Sequence, residues 1–423
     1  MAIGARQGTV VGLFKAKSSS QPGFTTLTLA AAILLYPLVA LLAPKAMVAL
    51  LVLPVLACLT AAPNRSAVFS ALPPKVLMLI AGLAAWSLVT VWWSPRPTVS
   101  LELWFRVVGI GLCGMVLFAT SAKASADDVR FLDGVFFVSG WLFIALFTVE
   151  LLSDGALIRL AVSLWNLLTP WDTGPPTPSL LLLQGSAALA IFAWPCMLAI
   201  RRRSTAAVAS LFALAVTALL VNQNMEASLV AFAGALVVFL AVYRFPRWGS
   251  AAFLAGLALV NLALALAAFE IVSAEQQDGI NLIMSGGTKE RLYILDYVYE
   301  KINQHPLMGW GFDGSRAIGQ ETLSNFGNAS IPLHPHNLWA QAWLELGLIG
   351  FVLVVSLAVA VTMTIAASGR GRTAVAVAVA AVATYLLIGN ISYGMWQNWW
   401  LALAWLNAGF LALTAVRDGA GDA

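Results

Sequence analysis

The chain has 423 residues, 61% of them hydrophobic and 10% charged, with a mean hydropathy of +0.88. Soluble domains hold roughly 45–50% apolar and about 25% charged residues, so composition excludes a single soluble core and implies a polytopic membrane protein. The net charge of +4 comes from basic residues scattered over loops, which argues against a nucleic-acid partner.

A polar segment of more than twenty residues precedes the first apolar run, with no convincing cleavage site, so no cleaved signal peptide is expected. A membrane span needs about 20 mostly apolar residues. Twelve candidates follow in order: 25–43, 46–62, 75–94, 101–121, 130–152, 179–200, 205–222, 226–243, 250–269, 338–366, 372–393 and 396–415. Lipid cannot satisfy an open backbone, so these are helices and the expected fold is an all-α integral membrane protein. Residues 1–269 hold nine spans and a short amphipathic segment at about 153–178. Residues 270–337 form a large loop region, and 338–423 hold the last three spans and the tail. With the N-terminus in the cytoplasm, fifteen of the 23 basic residues fall on the inside, Arg201, Arg202 and Arg203 among them. Both termini are then cytoplasmic, and the large loop lies outside.

Cys58, Cys113 and Cys196 all sit in apolar runs, with neither a disulfide framework nor metal-ligand spacing. The segment at 153–178 carries Pro170, Pro175, Pro176 and Pro178, and its amphipathic piece, Ile158–Leu168, is expected along the membrane surface. Within 270–337, Leu292, Leu295, Val298, Tyr299 and Ile302 recur at helical spacing, which predicts an amphipathic helix ending near His305-Pro306. The run Gly309-Trp-Gly-Phe-Asp-Gly314 reads as a turn; no strand precedes it, so a nucleotide-binding glycine loop is rejected. Trp396, Trp399 and Trp400 read as an interfacial aromatic belt. No internal repeat is evident.

The unusual chemistry concentrates at Leu333-His-Pro-His-Asn337, where two of the three histidines stand at the mouth of a span. Imidazoles titrate near neutral pH, so His334 or His336 could act as a general base; the alternative is an interfacial or capping pair. Arg291 and Arg316 share the outside region, and guanidinium groups match phosphate oxygens. A base beside fixed cations suits attack by a hydroxyl on a group leaving a lipid-anchored phosphate or pyrophosphate, with no metal required. Arg106, inside a span, is either a ligand or a partner of Glu102. Asn337, Gln341 and Glu345 lie on one helix face as ligands or interhelical hydrogen-bond formers, Asn337 being nearest the mouth. Lys289 and Arg159 are weaker ligand candidates, and His305 a weak functional one.

Thr288-Lys-Glu-Arg291, His305-Pro-Leu-Met-Gly-Trp-Gly311, Leu333-His-Pro-His-Asn337 and Leu344-Glu-Leu-Gly347 occur in this order over about 60 residues. As a set they resemble the bacterial O-antigen ligase and O-antigen polymerase superfamily, as does the layout of twelve spans with one large outside loop. The resemblance implies an inverting membrane glycosyltransferase related to the GT-C class; no cofactor is expected. It implies a donor glycan on undecaprenyl pyrophosphate in the bacterial inner membrane, handled on the periplasmic side. The acceptor would be lipid A–core in a ligase, the favoured reading, or another lipid-linked repeat in a polymerase. The resemblance places the essential histidine at His336, with His334 behind it, and the pyrophosphate-binding arginines at Arg291 and at Arg316 or Arg106. A lipid-linked-sugar flippase is the rival of another class. It fits less well, because the polar residues crowd one side of the membrane.

Overall fold

A computed structural model of the chain describes residues 22–61, 72–168, 177–221, 225–278, 286–320, 331 and 334–415. The amino-terminal segment, most of the proline run at 169–176, Leu333 and the carboxyl-terminal tail lie outside the described residues, and with them the reading of an uncleaved N-terminus. Among the described residues there is no strand. The helices are α1 (Phe24–Leu42), α2 (Met47–Ala61), α3 (Pro74–Val91), α4 (Pro97–Ser121), α5 (Ala126–Leu152), α6 (Ala156–Leu168), α7 (Pro178–Arg203) and α8 (Ala206–Leu220). They continue as α9 (Glu226–Arg244), α10 (Pro246–Asp278), α11 (Gly286–Gln304), α12 (Ser315–Ile318), α13 (Leu338–Ala366), α14 (Arg372–Gly389) and α15 (Asn398–Ala415).

Each of the twelve predicted spans falls on one of these helices. Nine helices among the described residues are long and apolar enough to cross a membrane: α1, α3, α4, α5, α7, α9, α10, α13 and α14. The protein is an all-α polytopic membrane protein. Leu214, Leu240 and Leu262 point outward from the bundle, as lipid-facing side chains do. Helix α7 runs through the centre, buried along most of its length. Isolated polar groups tie it to its neighbours, because an unpaired donor in an apolar interior is expensive. The Trp194 indole donates to Thr384 Oγ1 on α14 at 2.8 Å, and Ser186 and Ser228 hydroxyls join α7 to α9 at 2.9 Å.

Two expectations need correction. The spans predicted at 372–393 and 396–415 overrun their helices: α14 stops at Gly389 and α15 starts at Asn398. Between them Asn390, Ser392 and Gly394, all poor helix formers, make a compact turn. Trp396, Trp399 and Trp400 do not form an interfacial belt, because each is at most 8% exposed. Trp396 packs on Phe312, and Trp399 and Trp400 pack on Tyr393.

The predicted amphipathic segments are both helices. α6 turns Ile158 inward and Leu160 and Leu164 outward, and the buried Glu150 carboxylate accepts from its first amides, Leu157 at 2.9 Å and Ile158 at 3.1 Å. α11 buries Leu292, Leu295, Val298 and Ile302 against Ala268 of α10 and Ala340 and Leu344 of α13, so this helix lies beside the mouth of α13.

Candidate active site at the mouth of α13

The His-Pro-His-Asn run is shaped residue by residue. Pro335 biases His334 away from helix. His336 adopts a left-handed backbone, with φ of 56°; such conformations in non-glycine residues cost about 1–3 kcal/mol and cluster at functional sites. Asn337 then returns to extended geometry and caps α13, its Oδ1 accepting from Ala340 N at 2.9 Å. This reversal lays the two imidazoles side by side, with ring centroids 4.2 Å apart.

Both rings address one atom, the carbonyl oxygen of Ser392 in the turn between α14 and α15. His334 Nε2 lies 2.9 Å from it and His336 Nδ1 3.1 Å. A carbonyl only accepts, so each of these nitrogens carries the hydrogen. The lone pairs are therefore on His334 Nδ1 and His336 Nε2. His334 is 6% exposed, and its Nδ1 is enclosed with no partner. His336 is only partly buried, so its Nε2 is the better placed to meet a substrate hydroxyl.

Two of the basic residues, Arg291 and Arg316, lie close enough to act on the imidazoles. Burial holds the His336 imidazole down to a pKa of about 4, and the Arg291 guanidinium on α11 pushes the same way. Burial also holds His334 down to about 3, helped by His336 and, more weakly, by Arg316 on α12. Both rings are thus neutral at physiological pH and flanked by fixed positive charge.

A break in α13 supports this arrangement. The helix reads as one apolar run, but Gly347 has φ 67° and ψ −171°, which interrupts it within three turns of its start. The segment His305–Gly311 fills the gap. Trp310 N donates to Leu344 O at 2.9 Å, Gly311 N to Glu345 O at 2.8 Å, and Leu348 N to Pro306 O at 2.9 Å. The Trp86 indole satisfies Leu346 O at 2.8 Å. Irregular backbone at membrane depth survives only when its polar groups are met in this way.

Glu345, fully buried at the break, joins three segments. Its carboxylate accepts from Gln341 Nε2 at 3.0 Å, from the Trp396 indole at 2.6 Å and from Asp313 N at 3.1 Å. Gln341 Oε1 accepts from Met395 N at 3.0 Å. The polar stripe on α13 therefore holds the turn that carries Ser392, and through it the orientation of both imidazoles. The sequence flagged Gln341 and Glu345, but nothing in it marked Ser392, whose contribution is a backbone oxygen.

Other candidates are engaged locally. Arg106 pairs with Glu102 at 3.4 Å on an exposed face of α4, which is the pairing alternative raised for it. Arg159 donates to the carbonyls of Ser153, at 3.1 Å, and Asp154. Lys289 is half-buried in the first turn of α11. His305 is exposed and packs edge-on against Trp310. Among the described residues no three His, Cys, Asp or Glu side chains form a metal-holding group.

Asn337 holds the mouth together, since its Nδ2 also donates to Asn261 Oδ1 on α10 at 2.8 Å. Asn337→Ala removes a cap and an interhelical bond. It is expected to cost about 1–2 kcal/mol, read as a lower thermal midpoint of the purified protein. Asn337→Asp retains the cap but not the donated bond and should fall between; equal midpoints for all three proteins would refute the capping role.

Comparison with known proteins agrees with this architecture. Residues 210–355, from α8 to beyond the break in α13, match the family model described as O-antigen ligase. A Rickettsia bellii protein named "putative polysaccharide ligase" is 30% identical over 342 residues, covering 79% of this chain and 78% of its own. A Rickettsia typhi protein of the same descriptive name is 25% identical over 327 residues, covering 75% of each chain. A third, from Rickettsia felis, is 32% identical over 117 residues, 26% of this chain. With its paired histidines, flanking arginines and broken span inside the matched region, the chain belongs to the O-antigen ligase family.

Proposed function

We propose that this protein is a membrane glycosyltransferase that moves an O-antigen glycan from undecaprenyl pyrophosphate to a sugar hydroxyl of lipid A–core. The observation that carries the reading is the His336 imidazole, its Nδ1–H fixed on Ser392 O and its Nε2 left as a proton acceptor, with Arg291 close enough to act on it. In the step we infer, Nε2 takes the proton of the acceptor hydroxyl and the acceptor oxygen bonds to the anomeric carbon. The bond from that carbon to the pyrophosphate oxygen breaks, and its electron pair stays with the pyrophosphate. Attack opposite the leaving group inverts the anomeric centre. Arg291 and Arg316 meet the charge that develops on the pyrophosphate, so no step is routed through a metal. Lys289, two residues before Arg291 on α11, is a further proposed contact for the pyrophosphate, and Asn337 serves by capping the mouth of α13. Arg106, paired with Glu102, and Arg159, bound to the Ser153 and Asp154 carbonyls, would reach donor charge only by leaving those partners.

The basic residues support a cytoplasmic-membrane location, with both termini in the cytoplasm and the histidines on the periplasmic side. The relatives' names support ligation over polymerisation.

The test is reconstitution. The purified protein in nanodiscs receives undecaprenyl-pyrophosphate glycan and lipid A–core, with and without EDTA. The expected result is glycosylated core and one free undecaprenyl pyrophosphate per transfer, unaffected by the chelator. Glycan lengthening on the carrier would replace the ligase with a polymerase. Movement of intact carrier between leaflets without a new glycosidic bond would replace the enzyme with a flippase.

A further inference from the structure

We propose that Arg96, at the corner between α3 and α4, is a third guanidinium of the anion-binding face and grips the phosphoryl oxygens of the lipid-linked donor. This rests on the glycosyl-transfer reading above.

Arg96 lies outside the region matched by the family model, and in the sequence it is one basic residue among the outside loops. The corner it occupies is rigid. The Ser94 and Ser100 hydroxyls bond at 2.8 Å, and Arg96 N donates to Ser94 Oγ at 3.4 Å. The loop carrying Asp313 presses directly on it. Gly311 has φ 91°, and a Cβ there would stand 2.5 Å from Ser94 Cα and 2.8 Å from Thr90 O, so only glycine lets the loop approach this closely.

Within this corner Arg96 Nε and Nη2 are buried with no hydrogen-bond partner, and so is the indole nitrogen of Trp93. None of the ion pairs among the described residues includes Arg96. Arg96 as a whole is only partly buried and acts on the Asp313 carboxyl, yet these enclosed donors lack hydrogen-bond acceptors, and unmet donors of this kind call for an explanation. The unmet atoms here are all donors. A phosphate ester offers only acceptors and carries negative charge, so it meets that need.

Position ties the corner to the site. Arg96 and Arg316 both act on the carboxyl of Asp313, which burial pushes up, and Arg316 also acts on His334. The Asp313 amide is held by Glu345, the same carboxylate that fixes the Ser392 turn. The α3–α4 corner therefore packs on the loop that Glu345 ties to the turn carrying Ser392.

The experiment compares Arg96→Gln and Arg96→Lys with the unaltered protein. Thermal midpoints are measured with and without undecaprenyl pyrophosphate, and KM is measured separately for donor and acceptor. A charged hydrogen bond contributes about 1.5–3 kcal/mol, so Arg96→Gln should raise donor KM roughly tenfold or more and leave acceptor KM unchanged. Its midpoint without ligand should stay nearly level, because two unmet donors are removed while the interaction with Asp313 is lost. The upward shift caused by undecaprenyl pyrophosphate should shrink, and Arg96→Lys should recover part of it. A lower ligand-free midpoint with donor KM unchanged would assign Arg96 to the fold and overturn the proposal. If the unaltered protein makes no glycosidic bond yet undecaprenyl pyrophosphate stabilises it in an Arg96-dependent way, the transfer reading fails and the anion site stands. If transfer proceeds and Arg96→Gln matches the unaltered protein in donor KM and ligand shift, the reverse holds.

Discussion

Replacing His336 by alanine is expected to slow glycan transfer by roughly two to four orders of magnitude, the usual contribution of a positioned general base. The protein should still fold and insert, because His336 is only partly buried and His334 keeps its own bond to Ser392. His336→Asn is the companion variant, since asparagine tolerates the left-handed backbone at this position. Both variants should lose activity alike, which separates loss of the base from relief of strain. His334→Ala should slow transfer less, by loosening its neighbour. If His334→Ala proves the more damaging while His336→Ala retains most activity, the roles of the two rings are exchanged.

The pH profile adds a second reading with a definite sign. An unperturbed imidazole begins to protonate near pH 6.5. Here His336 is held down to about 4 and His334 to about 3. In the free protein the His336 ring therefore stays neutral well below pH 6.5, and if it is the base, kcat/KM should not decline around that value. Stability runs the other way. The unfolded chain takes up protons from pH 6.5 downward while the folded chain does not. The contribution is fully present above pH 6.5 and erodes as pH falls towards 4. Thermal midpoints measured from pH 7.5 to 4.5 should decrease over that window, and the decrease should be smaller in His336→Ala.

The helices were legible because the bilayer sets their length and composition, and the helical spacing of Leu292, Leu295, Val298 and Ile302 marked α11 equally well. The histidines announced themselves through Pro335 and their place before an apolar run. What stayed hidden was whatever works through backbone. Ser392 contributes a carbonyl from a turn 56 residues beyond His336, and no side-chain pattern encodes it. The tryptophans near 396–400 were misread because aromatic residues at a span's end look the same whether they face lipid or pack inward. Arg96 sits in no local motif, and the corner it occupies is closed by a loop more than two hundred residues away. The break in α13 left a faint trace, Glu345 and Gly347 inside an otherwise apolar stretch, which acquires meaning only when another segment is seen in the gap.

Gly347→Ala is expected to disable the protein more broadly than any single change at the histidines. Its backbone, φ 67° and ψ −171°, belongs to a region open essentially to glycine alone. A Cβ would lie 2.1 Å from Leu307 O, 2.5 Å from Leu307 C and 2.6 Å from Met308 C, all backbone atoms that no rotamer change can move. The His305–Gly311 segment would have to withdraw, which breaks the bonds of Trp310 N, Gly311 N and Leu348 N across the gap. Strain of about 1–3 kcal/mol combines with unmet polar groups at about 1–3 kcal/mol each, so destabilisation of several kcal/mol is expected. The damage should reach catalysis as well, because withdrawal pulls Asp313 from Glu345 and frees the turn carrying Ser392. Gly369→Ala is the control. Gly369 also has positive φ, 69°, but a Cβ there meets nothing within 4 Å, so strain acts alone and the midpoint should fall only slightly. Thermal unfolding and transfer assays on the two variants separate the explanations. If Gly347→Ala behaves like Gly369→Ala in both, the inserted segment is not what holds the broken helix open, and the path from α13 to the imidazoles through Glu345 loses its foundation.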